Sequence, residues 1–119
     1  MWRVQPIQIV EDYDSSDGSV NWDIVVPNEP DLYFDMSIQV NYTGLAGVLN
    51  GTLIVYQSSD GVNFVAYGGM THNLTATPGS AIFELTSLLV PHYRIALTVG
   101  GITGGTFNAY KVLKRKAKP

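Results

Sequence analysis

Alternation of apolar and polar residues is the clearest pattern along this chain. Between Leu32 and Thr43 every second residue is apolar, and the positions between them are polar. The apolar members of this segment are Phe34, Met36, Ile38, Val40 and Tyr42. The same period of two recurs from Tyr93 to Val99. Because successive side chains of a strand point to opposite faces, both segments are predicted to be half-buried β-strands.

Residues 51–68 predict a β-hairpin. Thr52 to Tyr56 are β-branched, aliphatic or aromatic, the residue types that suit a pleated and half-buried surface. Asp60-Gly61 follows, and glycine reaches positive φ without a Cβ clash while aspartate bonds to the downstream backbone. We therefore expect a tight turn here, with Asn63 to Tyr67 as the returning strand.

The rest of the chain alternates between short strand-like runs and turn signals. Five further strands are predicted, at Ile7–Val10, Ser19–Val26, Met70–Thr75, Ala81–Leu85 and Phe107–Leu113. Turns or loops are predicted at Glu11–Gly18, Pro27–Pro30, Gly44–Gly51, Thr77–Ser80 and Gly100–Gly105, the last as a flexible hairpin loop. A helical period of 3.6 residues occurs nowhere.

This pattern predicts an all-β fold with about eight or nine strands. Two antiparallel sheets packed face to face, of jelly-roll type, fit best, and an immunoglobulin-like sandwich is the alternative. A chain of 119 residues suffices for one core. We expect a single β-sandwich domain at residues 1–113 and a basic C-terminal tail at residues 114–119.

Composition favours assembly. Charged residues make up only 14% of the chain, against about a quarter in typical globular proteins. A smaller part of the surface than usual is therefore charged. The absence of cysteine excludes disulfides and thiolate chemistry. The N-terminal residues do not have the pattern of a signal peptide, and no apolar run approaches the length of a membrane span. A soluble protein without membrane contact is expected.

Basic residues concentrate at the end of the sequence. Five of the last nine residues are positively charged, and four of them form the predicted partner-binding site: Lys114, Arg115, Lys116 and Lys118. Docking on an acidic protein surface is one interpretation, and a solvated tail is the other. Nucleic acid is an unlikely partner, because the pI is about 5.1 and no interleaved aromatic and basic residues form a stacking surface.

No catalytic residue, metal or cofactor is predicted. The two histidines, His72 and His92, lie beside predicted strands without a recognisable catalytic motif. The acidic turn matches some positions of a calcium loop, but Asp17 stands where that loop requires glycine. A looser cation site formed by Asp12, Asp14 and Asp17 remains open beside the interpretation as an ordinary turn.

Several motifs carry a resemblance to a known class of proteins. They are Asp-Ser-Ser-Asp-Gly-Ser-Val at residues 14–20, Ser-Ile-Gln-Val-Asn-Tyr-Thr-Gly at 37–44, the hairpin at 51–64, Pro-His-Tyr-Arg-Ile-Ala-Leu-Thr at 91–98 and Gly-Gly-Thr-Phe-Asn-Ala at 104–109. Read together with the terminal Lys114, they resemble small virion proteins of tailed bacteriophages. The hairpin alone is similar to one in discoidin-like and other carbohydrate-binding jelly rolls.

The resemblance implies a non-enzymatic virion protein, made in the host cytoplasm without a signal peptide. It would decorate or stabilise the capsid, or lie at the neck or tail, through contacts with the major capsid protein or other virion proteins. A homo-oligomer is also expected. The alternative is a carbohydrate-binding module that adheres to glycans, with Trp2, Tyr13 and Trp22 as candidate stacking residues. Phe64 stands where the family usually has tryptophan, which weakens that alternative.

Overall fold

Eight β-strands and one short 3-10 helix form the part of the chain that the structure describes. The computed structural model describes residues 6–27, 32–75, 79–86, 88 and 90–117. The 3-10 helix is Ser15–Asp17. The strands are β1 (Ile7–Asp14), β2 (Val20–Val25), β3 (Leu32–Gly47), β4 (Thr52–Ser58), β5 (Val65–Asn73), β6 (Gly79–Leu85), β7 (His92–Thr98) and β8 (Ile102–Ala117).

The strands form two antiparallel sheets of four strands each. Sheet I has the strand order β1-β8-β3-β6, and sheet II has the order β2-β7-β4-β5. Apart from the β4–β5 hairpin, every connection between consecutive strands passes from one sheet to the other. This is the arrangement of an eight-stranded jelly roll, so the predicted fold class is confirmed. The immunoglobulin-like alternative is wrong, because that fold divides its strands between the sheets in a different order.

The core lies between the two sheets and is filled by alternating positions of each strand. Both predicted alternations are confirmed, since the five apolar side chains of β3 are at most 4% exposed and those of β7 at Tyr93, Ile95 and Leu97 at most 1%. Opposite them lie further buried residues, among them Leu53 and Val55 of β4 and Phe107 and Ala109 of β8. Burying each large apolar side chain stabilises the fold by roughly 1.5–3 kcal/mol.

Aromatic side chains from both sheets meet in this core. The ring of Tyr42 lies 5.8 Å from that of Phe107, and its buried hydroxyl is hydrogen-bonded to Nε2 of His72 at 3.0 Å. The ring of Trp22 also lies 6.2 Å from that of Phe107 and meets Tyr13 edge-on at 5.7 Å. Because Tyr42 belongs to β3 and His72 to β5, their hydrogen bond joins the two sheets.

The turn between β4 and β5 is organised by Asp60, in agreement with the predicted hairpin. Its Oδ1 accepts hydrogen bonds of 2.8 Å from the backbone amides of Val62 and Asn63 and from the hydroxyl of Ser58. Its Oδ2 accepts a bond of 3.0 Å from the side-chain amide of Asn63. These donors favour the ionised carboxylate, so they hold the pKa of Asp60 well below its ordinary value.

Two predicted loops are wrong in part. The acidic turn at 11–18 begins later than expected, because Glu11 to Asp14 continue β1 as far as the 3-10 helix. An edge strand that is largely exposed needs few apolar residues, which explains why this segment lacks a strand pattern. Residues 102–105 of the predicted glycine-rich hairpin loop form the start of β8. They form no hairpin, because β7 and β8 lie in different sheets.

Several strand ends also differ from the prediction. β3 continues to Gly47, and the two strands predicted at 63–67 and 70–75 are the single strand β5. The last strand runs to Ala117, where the sequence predicted Leu113. Residues 114–117 pair with the beginning of β3. Their strand conformation therefore depends on a segment that is distant in sequence, and local sequence does not reveal it.

Candidate functional site

The basic residues predicted as a partner-binding site lie at the end of β8. Lys114 is exposed and lies opposite Asp35 of β3 in the strand register. The backbone of Arg115 and Lys116 continues the same ladder, and Lys118 lies outside the described residues. Three of the four predicted residues therefore belong to sheet I instead of a separate tail.

The outer face of sheet I is the solvent-facing surface on which Lys114 lies. In each strand, the residues between the buried positions point outward, and paired residues of neighbouring strands share a face. This face consists of Gln8, Asp35, Ser37, Gln39, Asn41, Ser80, Ile82, Glu84, Asn108, Tyr110, Val112 and Lys114. Most of these residues carry no charge. Tyr110 lies near the middle, between Gln8 and Gln39 in register.

Hydrogen bonds between side chains order this face. The carboxamide oxygen of Asn41 accepts bonds from the hydroxyl of Ser80 at 2.7 Å and from the amide of Gln39 at 2.8 Å. The amide of Gln8 donates to the carboxamide oxygen of Asn108 at 3.2 Å. Side chains held in this way have little rotamer freedom left to lose when a partner binds.

Charge on this face is confined to one end. Asp35, Glu84 and Lys114 surround a shallow groove of about 230 Å³, whose lining also includes Ser37 and Val112. At the other end the row of Ser80, Asn41 and Asn108 is uncharged. The outer face of sheet I thus has an uncharged centre and a charged rim at the end of β8.

Two titratable residues considered in the sequence, His72 and Asp14, form hydrogen bonds within the fold. The imidazole of His72 is bonded to Tyr42 in the core. In the described part of the chain, no group of three or more His, Asp or Glu side chains could hold a metal ion. The carboxylate of Asp14 accepts a bond of 2.9 Å from the amide of Ser16, and this bond lowers the pKa of Asp14. Within the described ranges, the structure has no helix of the length and hydrophobicity that crossing a membrane requires.

Of the three aromatic residues expected to stack on a sugar, two lie in the described part of the chain. Trp22 and Tyr13 pack against each other and against the core, and the hydroxyl of Tyr13 donates to the carbonyl oxygen of Gly18 at 2.5 Å. Trp2 lies outside the described residues. A stacking surface made of Tyr13 and Trp22 would require these packed rings to be freed from their neighbours.

The sequence does not reveal the outer face of sheet I as a unit. Its only local signal is the polar half of the alternation in β3, at Ser37, Gln39 and Asn41. The partners of these residues come from β1, β6 and β8, which are far away in sequence. The chain matches no protein-family model, no curated protein and no solved structure.

Proposed function

We propose that this protein is a non-enzymatic structural component of a bacteriophage virion, which decorates or stabilises the capsid through protein contacts. The motifs between residues 14 and 114 that resemble small virion proteins support this function. The jelly-roll fold supports it too, since viral capsid proteins are among the proteins that use this fold. The low content of charged residues is also typical of a surface that assembles.

The observation that carries the proposal is the uncharged centre of the outer face of sheet I. The centre of a protein interface is typically depleted in charge and enriched in aromatic residues, and its rim is polar. Tyr110 surrounded by amides and hydroxyls, with Asp35, Glu84 and Lys114 at one end, matches this composition. Four strands about 4.8 Å apart and about nine residues long span roughly 550 Å², about two-thirds of the ~800 Å² per partner of a standard interface.

In this proposal, the basic end of β8 orients the protein on its partner. Lys114, which lies on the outer face of sheet I, would meet an acidic part of the neighbouring virion protein. Attraction between exposed charges accelerates association and fixes the orientation of the partners more than it adds affinity. It also weakens as salt shortens the range of the electrostatic field. Docking should therefore become slower at high ionic strength.

Cosedimentation with purified capsids tests the proposal. Ile82 lies within the outer face of sheet I and is 58% exposed, so burying the rest of it would contribute about 1–2 kcal/mol. Ile82→Lys should then weaken binding at least about fivefold to thirtyfold. The matched control is Val62→Lys, because Val62 is 77% exposed but lies in the β4–β5 turn. Equal binding of both variants would refute the assignment of this face.

The same variant also distinguishes a second copy of the chain from a capsid protein as the partner. Self-association through the same face would appear as a concentration-dependent dimer that Ile82→Lys abolishes in the absence of capsids. Substitutions are preferable to deleting residues 114–119, because residues 114–117 are part of β8. A second function, glycan binding, is favoured by a specific feature of sheet II, described next.

A further inference from the structure

A groove of about 330 Å³ crosses the outer face of sheet II. It is lined by Asn21, Tyr56, Phe64, Arg94 and Ala96. Asn21 lies opposite Ala96 in the register of β2 and β7, and Arg94 lies opposite Tyr56 in the register of β7 and β4. Ala96 carries only a methyl group, so it leaves space between its larger neighbours. The groove is therefore built largely on paired strands, which hold its side chains at fixed spacing.

The guanidinium of Arg94 is held in place from two sides. Its Nε and Nη2 donate to the two carboxylate oxygens of Asp23 at 2.6 and 3.1 Å. Its central carbon lies 3.8 Å from the centre of the Phe64 ring. The hydrogen bonds from Arg94 favour the ionised carboxylate and lower the pKa of Asp23. Asp23 and Arg94 thus form an ordered pair without net charge, beside an aromatic ring.

Two other polar groups of the groove are open to a ligand. Among the residues that the structure describes, the carboxamide of Asn21 and the hydroxyl of Tyr56 have no hydrogen-bond partner. Asn21 offers donors and an acceptor, and the half-buried Tyr56 offers an aromatic surface together with its hydroxyl. The groove therefore combines an apolar surface with polar groups at its margins.

From this arrangement we infer that the groove binds a neutral saccharide, as one or two sugar units of a glycan chain. A sugar ring has an apolar face of C–H groups and a margin of hydroxyls. The apolar face would pack on the ring of Tyr56, and the hydroxyls would bond to Asn21 and to the Asp23–Arg94 pair. The volume of the groove lies at the lower end of the range for small-molecule sites.

A charged ligand fits this groove less well. The positive charge of Arg94 is already matched by Asp23, so an anion would have to compete with a bidentate bond. The inference is independent of capsid docking, because the outer faces of sheets I and II lie on opposite sides of the sandwich. Failure of one proposal leaves the other standing.

A titration of the purified full chain with defined oligosaccharides tests the inference. The probes are cellohexaose, maltohexaose and the hexamer of N-acetylglucosamine, with polygalacturonate as an anionic comparison, and binding is followed by amide chemical shifts. At least one neutral oligosaccharide should bind. Tyr56→Ala should weaken that binding about tenfold or more, because it removes the stacking surface. Tyr56→Phe should keep most of it, because the ring remains.

Tyr110→Ala is the matched control, since Tyr110 is a half-buried tyrosine on the outer face of the other sheet. It should leave saccharide binding unchanged. Thermal unfolding of each variant separates loss of binding from loss of fold, and Asn21→Ala provides a second test with a smaller change. The inference is overturned if no neutral probe binds at millimolar concentration, if polygalacturonate binds best, or if Tyr56→Ala and Asn21→Ala both bind like the wild type. Reduced capsid binding of Tyr56→Ala without any saccharide binding would assign the groove to a protein partner and overturn it as well.

Discussion

Substitution of Gly51 by alanine tests how closely the connection between β3 and β4 packs against β7 and β8. Gly51 is buried just before β4, and a Cβ there would lie 2.6 Å from the backbone carbonyl oxygen of Thr98 and 2.8 Å from Cδ1 of Ile102. Ordinary contacts begin at 3.4 Å, so the added methyl overlaps its neighbours. A backbone oxygen cannot rotate away as a side chain can. Overpacking of this kind typically costs about 1–3 kcal/mol.

Gly68→Ala is the matched control. Gly68 is exposed in β5, and a Cβ there would meet no heavy atom within 4 Å. Alanine restricts the unfolded chain at either position and should stabilise Gly68→Ala by about 0.4–1 kcal/mol. The difference between the two variants therefore isolates the overlap at Gly51. It should amount to about 4–12 °C in the midpoint of thermal unfolding, measured by circular dichroism, at about 4 °C per kcal/mol.

Equal melting temperatures of Gly51→Ala and Gly68→Ala would refute this reasoning. That outcome would mean that the connection from β3 to β4 does not pack against β7 and β8 as closely as the structure shows. Urea unfolding provides an independent check, because an unchanged slope with a lower midpoint indicates a change in stability alone.

Two further substitutions probe single hydrogen-bonded groups. Tyr42→Phe removes the hydroxyl that bonds to His72 across the sheets, and it should lower the free energy of unfolding by about 0.5–1.5 kcal/mol in urea titrations; an unchanged midpoint would show that this bond adds nothing. Asp60→Asn removes a carboxylate whose pKa is lower in the folded than in the unfolded state. The ionised carboxylate therefore stabilises the fold above its ordinary pKa of 3.8, and this stabilisation is lost as the pH falls. Thermal unfolding should therefore show a less stable variant at pH 7 and a smaller difference from the wild type below pH of about 4, whereas a constant difference would contradict this assignment.

The parts of the fold that could be predicted from the sequence are those governed by local rules. β3 and β7 each bury one face, so their alternation is visible without knowledge of their neighbours. The turn at Asp60 is equally local, since its bonds stay within residues 58–63. These segments could be predicted because burial and turn geometry restrict which residue types occur at successive positions.

The other segments depend on strands that are distant in sequence. β1 is an exposed edge strand, so its acidic half resembles a turn. The glycines at 100–105 resemble a loop, although residues 102–105 belong to β8. Both proposed sites have the same origin. The outer face of sheet I and the groove beside Arg94 arise from the register between non-consecutive strands, which single residues do not encode.

The pairing of β1 with β8 has a consequence for synthesis of the protein. About 100 residues separate the end of β1 from the end of β8, and a ribosome adds roughly 5–20 residues each second. The first strand is therefore complete about 5–20 seconds before its partner β8, and β3 is complete about 4–14 seconds before β8, which ends about 70 residues after it. During that interval the nascent chain exposes unpaired strand edges, which makes it a substrate for chaperones and vulnerable to premature pairing with other copies.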